Sequence, residues 1–342
     1  MTSQIGIHSS ETAGGTTGRT MKAIVQEGSG SADVLKLREI ERPVAAEGRV
    51  LVRVRAASVN ALDWHSVHGG AVLEIVSKLM RSKSIPVRGV DVAGVVEAIG
   101  PGVTRFSPGD EVFGSAPASF AEYASAKEQG LVLKPKALSF EQAACVGVAG
   151  FASLQGLRDY GHVRPGDHVL IYGAGGGVGT FAVQIAKALG AHVTAVTGAR
   201  NVDVIRSLGA DLVIDYAKED VTRRSERYEA IIDVAATRPL GSLLRVLAPG
   251  GTLVMVGASK GRATGIFLRI GAALFRSRVL KQRVVFCMAK ARLDDLIVLK
   301  ELIEAGKIRA VIDRTYPLSE TAEAVRYVGS GQARAKVVIN VG

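Results

Sequence analysis

A six-residue segment at positions 174–179, AGGGVG, has the composition of a loop that surrounds a phosphate group. It follows the apolar run 168–173 and precedes a helical pattern at 178–189. Glycines at such a strand-to-helix turn let backbone N–H groups approach a pyrophosphate, and the helix N-terminus adds partial positive charge. The context predicts a dinucleotide site, although Ala174 replaces the first glycine of the fingerprint G-x-G-x-x-G; an ordinary tight turn is the alternative. The predicted loop residues are Gly173, Ala174, Gly175, Gly176, Gly177, Val178 and Gly179.

The end of the next apolar strand indicates which dinucleotide binds. Folds that bind NAD place an acidic residue there, and it accepts a hydrogen bond from the ribose 2′-hydroxyl. This sequence has Thr197 and Gly198 at that position, followed by Arg200. A charge-assisted hydrogen bond to a 2′-phosphate contributes about 1.5–3 kcal/mol, which favours NADP(H) by roughly 10- to 100-fold. In the alternative interpretation, Arg200 is a solvated charge at a helix start.

The sequence pattern changes near residue 145 and indicates two domains within the 342 residues. Short β-rich segments separated by glycine and proline occupy 21–144, which predicts a small barrel-like domain. From 145 onward, short apolar segments alternate with helical ones, a pattern typical of a parallel sheet covered on both faces. The last segment, KVVIN, predicts one more strand, which joins either sheet. Residues 1–20 are rich in Ser, Thr and Gly and predict a flexible leader.

The composition is that of a globular protein with one basic segment. Nine of the eleven excess positive charges lie at 260–292, which contains no Asp or Glu. This segment lacks the interleaved aromatic residues of a single-strand platform, so nucleic-acid binding is not favoured. Only Cys145 and Cys287 occur, which excludes a disulfide framework and indicates a reducing, cytoplasmic location. The part 263–285 predicts an amphipathic lid or dimer helix, with weak contact to an anionic membrane surface as the alternative.

Several segments together carry a resemblance to a known family: AASVNALDWHSVHG, GVDVAGVVEAIGPGVTRFSPGDEVFG, SFAEYA, VRPGDHVLIYGAGGGVGTFAVQIAKALGAHV and RSLGADLVIDY. The sequence resembles the medium-chain dehydrogenase/reductase superfamily, in its zinc-free quinone oxidoreductase-like branch. The resemblance implies an α/β fold: a GroES-like β-barrel domain at 21–144 and 288–342, and a Rossmann domain with a doubly wound parallel sheet at 145–287. It also implies a cleft between the domains for nicotinamide and substrate, and a homodimer.

The metal ligands of related zinc enzymes are missing from the matching positions. The zinc enzymes have their first cysteine where this sequence has Asn60, the histidine of Gly-His-Glu at Val90, and their third ligand at Val146. His65 and His68 share a helix face, but no third ligand accompanies them. The sequence therefore predicts no metal.

Without a metal, hydrogen-bond donors must stabilise the negative charge that develops on a hydride acceptor. This favours quinones and α,β-unsaturated carbonyls over simple alcohols. The resemblance places Asn60 and Asp63 beside the nicotinamide and substrate, where the Asn60 amide donates a hydrogen bond and Asp63 orients it. An Asx-type turn after a strand is the alternative for both residues. Trp64 lines the acceptor pocket or packs in the core or an interface.

The resemblance also implies further cofactor contacts. Tyr216 matches a position near the adenosine phosphate, with a plain core tyrosine as the alternative. Lys336 matches a frequent cofactor contact and is otherwise an exposed strand residue. One departure lies at 150–153, where Ala152 lacks a hydroxyl that the family often has near the nicotinamide. The residues expected along the nicotinamide are Gly257, Ala258, Phe286 and Cys287.

Two other functions stay open at this point. One is an NAD(P)-dependent alcohol or aldehyde dehydrogenase, which the missing zinc ligands argue against. The other is a non-catalytic protein that binds NADPH as a redox sensor, which the departure at Ala152 allows.

Overall fold

The computed structural model describes residues 19–28, 30–68, 87–256 and 281–342. The predicted leader at 1–20 and basic segment at 263–285 therefore lie largely outside the described residues. In the described part of the chain, no helix has the length and apolar character that crossing a bilayer requires.

The first part of the chain is rich in strands. Its strands are β1 (Thr20–Gln26), β2 (Leu35–Glu41), β3 (Arg49–Val59), β4 (Asp91–Ile99), β5 (Glu111–Ser115), β6 (Tyr123–Lys127) and β7 (Leu131–Leu133), with helix α1 (Ala61–His68) after β3. Strands β1 and β2 form an antiparallel pair, and the other five join a seven-stranded sheet.

The second part alternates strands and helices. It begins with helices α2 (Phe140–Ala144) and α3 (Gly147–Gln155), the latter extended by a π-helical turn (Gly156–Tyr160). There follow β8 (His168–Tyr172), α4 (Gly177–Ala188), β9 (His192–Thr197), α5 (Val202–Ser207), β10 (Leu212–Asp215), β11 (Tyr228–Asp233), α6 (Leu240–Val246), β12 (Leu247–Met255) and β13 (Arg283–Phe286). The described chain ends with α7 (Leu293–Glu304), β14 (Ile312–Pro317), α8 (Thr321–Ser330) and β15 (Lys336–Asn340).

The parallel sheet has the strand order β10-β9-β8-β11-β12-β13. Numbered along the chain from β8, this is the order 3-2-1-4-5-6 of a doubly wound dinucleotide-binding fold. The central strand β8 is apolar because helices cover both faces of the sheet: Val169, Leu170 and Ile171 are fully buried.

The last strand returns to the first part of the chain. Strand β15 pairs antiparallel with β3 and parallel with β14, so the seven-stranded sheet has the order β14-β15-β3-β4-β5-β7, with β6 also paired to β3. The pattern alone left open which sheet KVVIN joins, whereas the resemblance assigned it to the first domain. Because β15 starts beside the glycine loop and pairs with β3, the pairing brings the end of β3 to the loop.

One apolar core connects the two sheets. It contains Ala56 and Phe113 from the antiparallel sheet together with Ile171 and Phe181 from the parallel sheet and its first helix. The helices α2 and α3 lie between them. Helix α2 begins with a capping box, in which Ser139 and Gln142 each bond the other's backbone N–H. This core fixes the ends of β3 and β4 relative to the glycine loop.

Candidate functional site

The glycine loop lies between β8 and α4, as predicted. Gly173 has a φ of +96°, and a Cβ there would stand 2.8 Å from the backbone nitrogen of Ala235, so only glycine is accommodated without strain. A Cβ at Gly179 would collide with the carbonyl oxygen of Gly173. Ala174 is fully buried, and its backbone N–H donates to the carbonyl oxygen of Val196 (2.9 Å). Its methyl group therefore faces the core and leaves the loop open.

The start of α4 can receive an anion. Among the described residues, no side chain caps this helix, whose N-cap is Gly176. The N–H groups of Gly177, Val178 and Gly179 have no partner within the helix, because they belong to its first turn. A Cβ at Gly176 would meet nothing nearer than the Gly173 carbonyl oxygen at 3.9 Å. The loop thus presents N–H groups without partners in the helix, and such groups suit the negative charge of a pyrophosphate.

The residues predicted at the adenosine end lie together at the carboxyl ends of β9 and β10. The backbone N–H of Tyr216 donates to the carbonyl oxygen of Thr197 (3.0 Å). A Cβ at Gly198 would stand 3.1 Å from the Tyr216 hydroxyl, and one at Gly175 would stand 2.5 Å from the Thr197 hydroxyl. Thr197 is buried, whereas Tyr216 is 58 % exposed and Arg200 is exposed. The tyrosine is therefore not a core residue.

A small cavity beside this group contains a basic residue that sequence reasoning missed. The cavity has a volume of about 170 Å³, and Gly175, Arg200, Asn201 and Arg334 are among its lining residues. Arg334 lies just before β15, and its backbone N–H donates to Asp313 (2.7 Å). Nothing local in the sequence marks Arg334, since only the return of β15 brings it to Arg200.

A seam of contacts joins β15 to the glycine loop. The N–H of Ala335 donates to the carbonyl oxygen of Gly175 (2.9 Å), and Gly176 forms a bridge with Ala335. A Cβ at Gly177 would stand 2.9 Å from Cδ of Lys336. Lys336 is 2 % exposed, so it is not the exposed strand residue that the sequence allowed.

A buried polar cluster lies under this seam. The Lys336 ammonium donates to Oδ1 of Asn60 (2.7 Å) and lies 3.4 Å from Oδ2 of Asp91. The Asn60 amide and the Ser58 hydroxyl donate to the same carboxylate oxygen at 2.9 and 2.8 Å. The N–H of Val148, in the first turn of α3, donates to its other oxygen at 2.8 Å. We call these five residues the Asp91 cluster.

The structure brings Asn60 next to Asp63 and next to Lys336, whose carbon chain lies against the glycine loop. The Asn60 amide group is turned inward: Nδ2 donates to Asp91 and lies 3.5 Å from the Ser58 carbonyl oxygen. This differs from the expectation that the amide donates to a substrate oxygen or a ribose, because buried acceptors already occupy it.

Asp63 acts on the backbone of Asn60. Its carboxylate accepts the Asn60 N–H at 2.7 Å, and the Asp63 N–H donates to the Asn60 carbonyl oxygen at 3.0 Å. This is the Asx-type turn that was predicted as the alternative, and it starts helix α1. Burial raises the pKa of Asp63 to about 7, an effect that the hydrogen bond from Asn60 opposes.

The structure places Trp64 against a helix. A Cβ on Gly329 of α8 would overlap the indole nitrogen, and the indole ring stacks on the His68 ring with centroids 4.4 Å apart. Trp64 also packs against the core cluster that contains Val67 and Val325. These contacts correspond to the packing role that the sequence left open, and none of them reaches the Asp91 cluster.

The expected nicotinamide end is described in part. Cys287 follows β13, donates its N–H to the Met255 carbonyl oxygen (2.9 Å) and is buried, while the adjacent Phe286 is 41 % exposed. The predicted Gly257 and Ala258 lie outside the described residues. Ser153, next to the departure at Ala152, is fully buried. Its hydroxyl lies 2.8 Å from the carbonyl oxygen of Ala149 and 2.9 Å from that of Val178, so it ties α3 to the start of α4.

Comparisons with known proteins agree with this architecture. Residues 46–136 match the family model described as alcohol dehydrogenase GroES-like domain, and residues 208–339 match zinc-binding dehydrogenase. The chain is 32 % identical to a chloroplastic quinone-oxidoreductase of Triphysaria versicolor, over 94 % of this chain and 99 % of the relative. It is also 32 % identical to a chloroplastic NADPH-dependent alkenal/one oxidoreductase of Arabidopsis thaliana, over 96 % of this chain and 81 % of the relative.

A solved structure shows the same fold. The quinone oxidoreductase from Coxiella burnetii superposes with a TM-score of 0.83 at 30 % identity, covering 95 % of this chain and 100 % of that one. Two linked domains, one GroES-like and one with the doubly wound parallel sheet, define an α/β oxidoreductase that uses a nicotinamide cofactor. The chain belongs to the medium-chain dehydrogenase/reductase superfamily, in its quinone-oxidoreductase-like branch, and the predicted fold class is confirmed.

Proposed function

We propose that this chain is a zinc-independent, NADPH-dependent reductase that transfers a hydride to a quinone or to the β-carbon of an α,β-unsaturated carbonyl. The relatives named for quinone and for alkenal/one reduction support both acceptor classes. The observation that carries the proposal is the set of side chains that form the site next to the glycine loop. Where zinc dehydrogenases have their first cysteine ligand, this site has the Asn60 amide, which is hydrogen-bonded to the Asp91 carboxylate and the Lys336 ammonium.

A catalytic zinc does not fit the residues of this site. It takes three protein ligands from Cys, His and carboxylate side chains. The matching positions carry Asn60, Val90 and Val146, and two of these three side chains are hydrocarbons. Cys145, next to Val146, points its thiol at the Glu141 carbonyl oxygen (3.1 Å), and burial raises its pKa to about 12. Among the residues that the structure describes, no three His, Cys, Asp or Glu side chains group as metal ligands.

A preference for NADP(H) over NAD(H) is supported by the charges at the adenosine end. A 2′-phosphate carries negative charge, and two arginines, Arg200 and Arg334, are among the residues that line the same cavity. Thr197 replaces the acidic residue that would repel this phosphate, and its hydroxyl faces Gly175 of the loop. Guanidinium groups suit phosphate because their planar N–H groups form paired, charge-assisted hydrogen bonds.

In this chemistry the chain's own residues bind the cofactor and orient the groups around it. Bound NADPH supplies the hydride, and the N–H groups at the start of α4 hold its pyrophosphate. Lys336 and Asn60 keep the loop against the end of β3, since one buried hydrogen bond links their side chains. Asp63 orients Asn60 through the backbone rather than delivering a proton, because its carboxylate is already bonded to the Asn60 N–H. The ion pair between Lys336 and Asp91 leaves no net charge at the seam, so acceptors that are already electron-poor are favoured.

The test is an acceptor panel that follows the loss of reduced-nicotinamide absorbance. NADPH and NADH are each combined with a benzoquinone, a naphthoquinone, an open-chain enone, an alkenal and a simple aldehyde, with and without a chelator. We expect NADPH-dependent turnover on a quinone or enone that the chelator does not change. Stoichiometric zinc in untagged protein, with activity lost on chelation, would overturn the zinc-independent part.

Other results of the panel assign the alternatives. Turnover on the aldehyde alone would replace the proposal by an alcohol or aldehyde dehydrogenase. Tight NADPH binding without turnover on any acceptor would replace it by a redox sensor. The assay thus separates binding from chemistry.

The homodimer and the cytoplasmic location belong to the same proposal. The dimer is supported only by the family resemblance, and light scattering on the purified chain tests it. The location is supported by two free cysteines, both of which are buried. Fractionation of the source cells tests it.

A further inference from the structure

Asp91 is a buried carboxylate to which the proposed reaction assigns only the neutralisation of Lys336. It begins β4, it is fully buried, and it was not among the candidate residues of the sequence. Its donors come from three elements: Ser58 and Asn60 at the end of β3, Val148 at the start of α3, and Lys336 at the start of β15. A carboxylate that collects donors from three distant segments determines how those segments meet.

The chemistry of these groups fixes the Asn60 amide from both sides. An ionised carboxylate only accepts hydrogen bonds, and an ammonium only donates them. Asn60 must therefore turn Nδ2 toward Asp91 and Oδ1 toward Lys336, and the observed distances of 2.9 and 2.7 Å agree with this orientation. An amide at position 91 would remove this constraint, because it can donate as well as accept.

Two connections lead from Asp91 to the glycine loop. The first is Lys336, whose carbon chain lies against Gly177. The second is helix α3: Asp91 accepts the Val148 N–H in its first turn, and Ser153 of the same helix donates to the Val178 carbonyl oxygen at the start of α4. A displaced carboxylate would therefore shift the loop as well as Asn60.

We propose that Asp91 is the positioning residue of this site, which orients the Asn60 amide and holds the Lys336 ammonium beneath the glycine loop. The expected effect on kcat rests on the proposed function, whereas the expected effect on NADPH affinity rests only on the glycine loop as the cofactor site. Asp91 contacts neither cofactor nor acceptor in this role. It acts through Asn60 and Lys336.

The experiment is a double-mutant cycle between Asp91→Asn and Lys336→Gln. NADPH affinity is measured by fluorescence titration, turnover by quinone reduction, and thermal midpoint on the cofactor-free protein. We expect D91N to weaken NADPH binding at least fivefold and to lower kcat at least tenfold. In the K336Q background, D91N should weaken NADPH binding by a smaller factor than it does in the wild-type protein, since one of the two connections from Asp91 to the loop is already gone. Likewise, the decreases in thermal midpoint of the two single variants should add up to more than the decrease of the double variant.

Asp110→Asn is the matched control. Its carboxylate accepts the Ser107 N–H at 2.8 Å in a turn of the antiparallel sheet, outside the Asp91 cluster. We expect D110N to leave NADPH affinity and kcat unchanged. If D91N does not fold, Gly147→Ala serves instead, because a Cβ there would collide with Oδ1 of Asp91 and displace the carboxylate without removing its charge.

The outcomes separate this inference from the proposed function. Unchanged NADPH affinity and kcat in D91N or G147A, or strictly additive effects of D91N and K336Q, would overturn the positioning role. Failure of the wild-type protein on every acceptor would overturn the proposed function alone, because the affinity and thermal cycles need no acceptor. If the wild-type protein binds no NADPH, the thermal midpoints still test the inference. Non-additive shifts of D91N and K336Q would support it, and additive shifts would refute it.

Discussion

Removing the guanidinium group of Arg200 should shift the cofactor preference toward NADH. Arg200 is exposed and lines the same cavity as Arg334 beside the glycine loop. A hydrogen bond to a charged group contributes about 1.5–3 kcal/mol, and solvent screening at an exposed site favours the lower value. At about 1.4 kcal/mol per factor of ten, Arg200→Ala should lower the ratio of NADPH to NADH affinity roughly tenfold.

The assay is a fluorescence titration of both reduced cofactors with wild type, R200A, R334A and the double variant. If both guanidinium groups contact the 2′-phosphate, the double variant should lose roughly 100-fold in the ratio, and the salt dependence of NADPH binding should flatten. Arg206→Ala is the control, because Arg206 pairs with Asp203 on the neighbouring helix α5 and does not line the cavity. An unchanged ratio in R200A, or an equal loss of both cofactors, would refute the reasoning.

Three further predictions concern stability and reactivity. Gly173→Ala should lower the free energy of unfolding by about 1–3 kcal/mol more than Gly166→Ala in urea titrations, because both have positive φ (+96° and +88°) but only Gly173 has Ala235 against the new Cβ; equal losses would contradict this. Cys145 and Cys287 should react slowly with a thiol reagent until the protein unfolds, since burial raises their pKa values to about 12 and about 11; fast labelling of the native protein would contradict it. Burial raises the pKa of Asp63 to about 7, so the folded state binds the extra proton and stability should fall as pH rises from about 4 to 7. Asp63→Asn should remove that part of the pH dependence of the thermal midpoint, and a parallel profile for both proteins would refute it.

The strand, the glycine loop and the helix start could be predicted from the sequence because their signals are local. The apolar run of β8, the glycines after it and the helix start are adjacent in the chain, and the structure has β8 followed by α4. The incomplete fingerprint is explained by burial: Ala174 faces the core, where a methyl group packs and obstructs no N–H group. Glycine is required at Gly173 and Gly179 instead, where backbone atoms approach closely.

The other half could not be predicted from local patterns because its residues are far apart in the chain. Lys336 and Asp91 are separated by 245 positions, and only the pairing of β15 with β3 brings them together. A five-residue apolar strand carries no information about its sheet, so the pattern left KVVIN ambiguous and only the family resemblance assigned it to the first domain. Asp91 is the first residue of a strand, where a polar residue is ordinary, and nothing nearby in the sequence marks it as buried.

The Asp91 cluster has a consequence for which reactions this fold can perform. In a zinc dehydrogenase the metal both fixes the geometry of the site and attracts the substrate oxygen. In the proposed zinc-independent reaction these two tasks would be divided: the ammonium of Lys336 pairs with Asp91, and its bond to Asn60 fixes geometry. Neutral hydrogen-bond donors, which are weaker than a metal ion, would then stabilise the carbonyl or quinone oxygen. Such a site suits acceptors whose own conjugation spreads the incoming charge, and it gives little help to an alcohol that must first lose a proton.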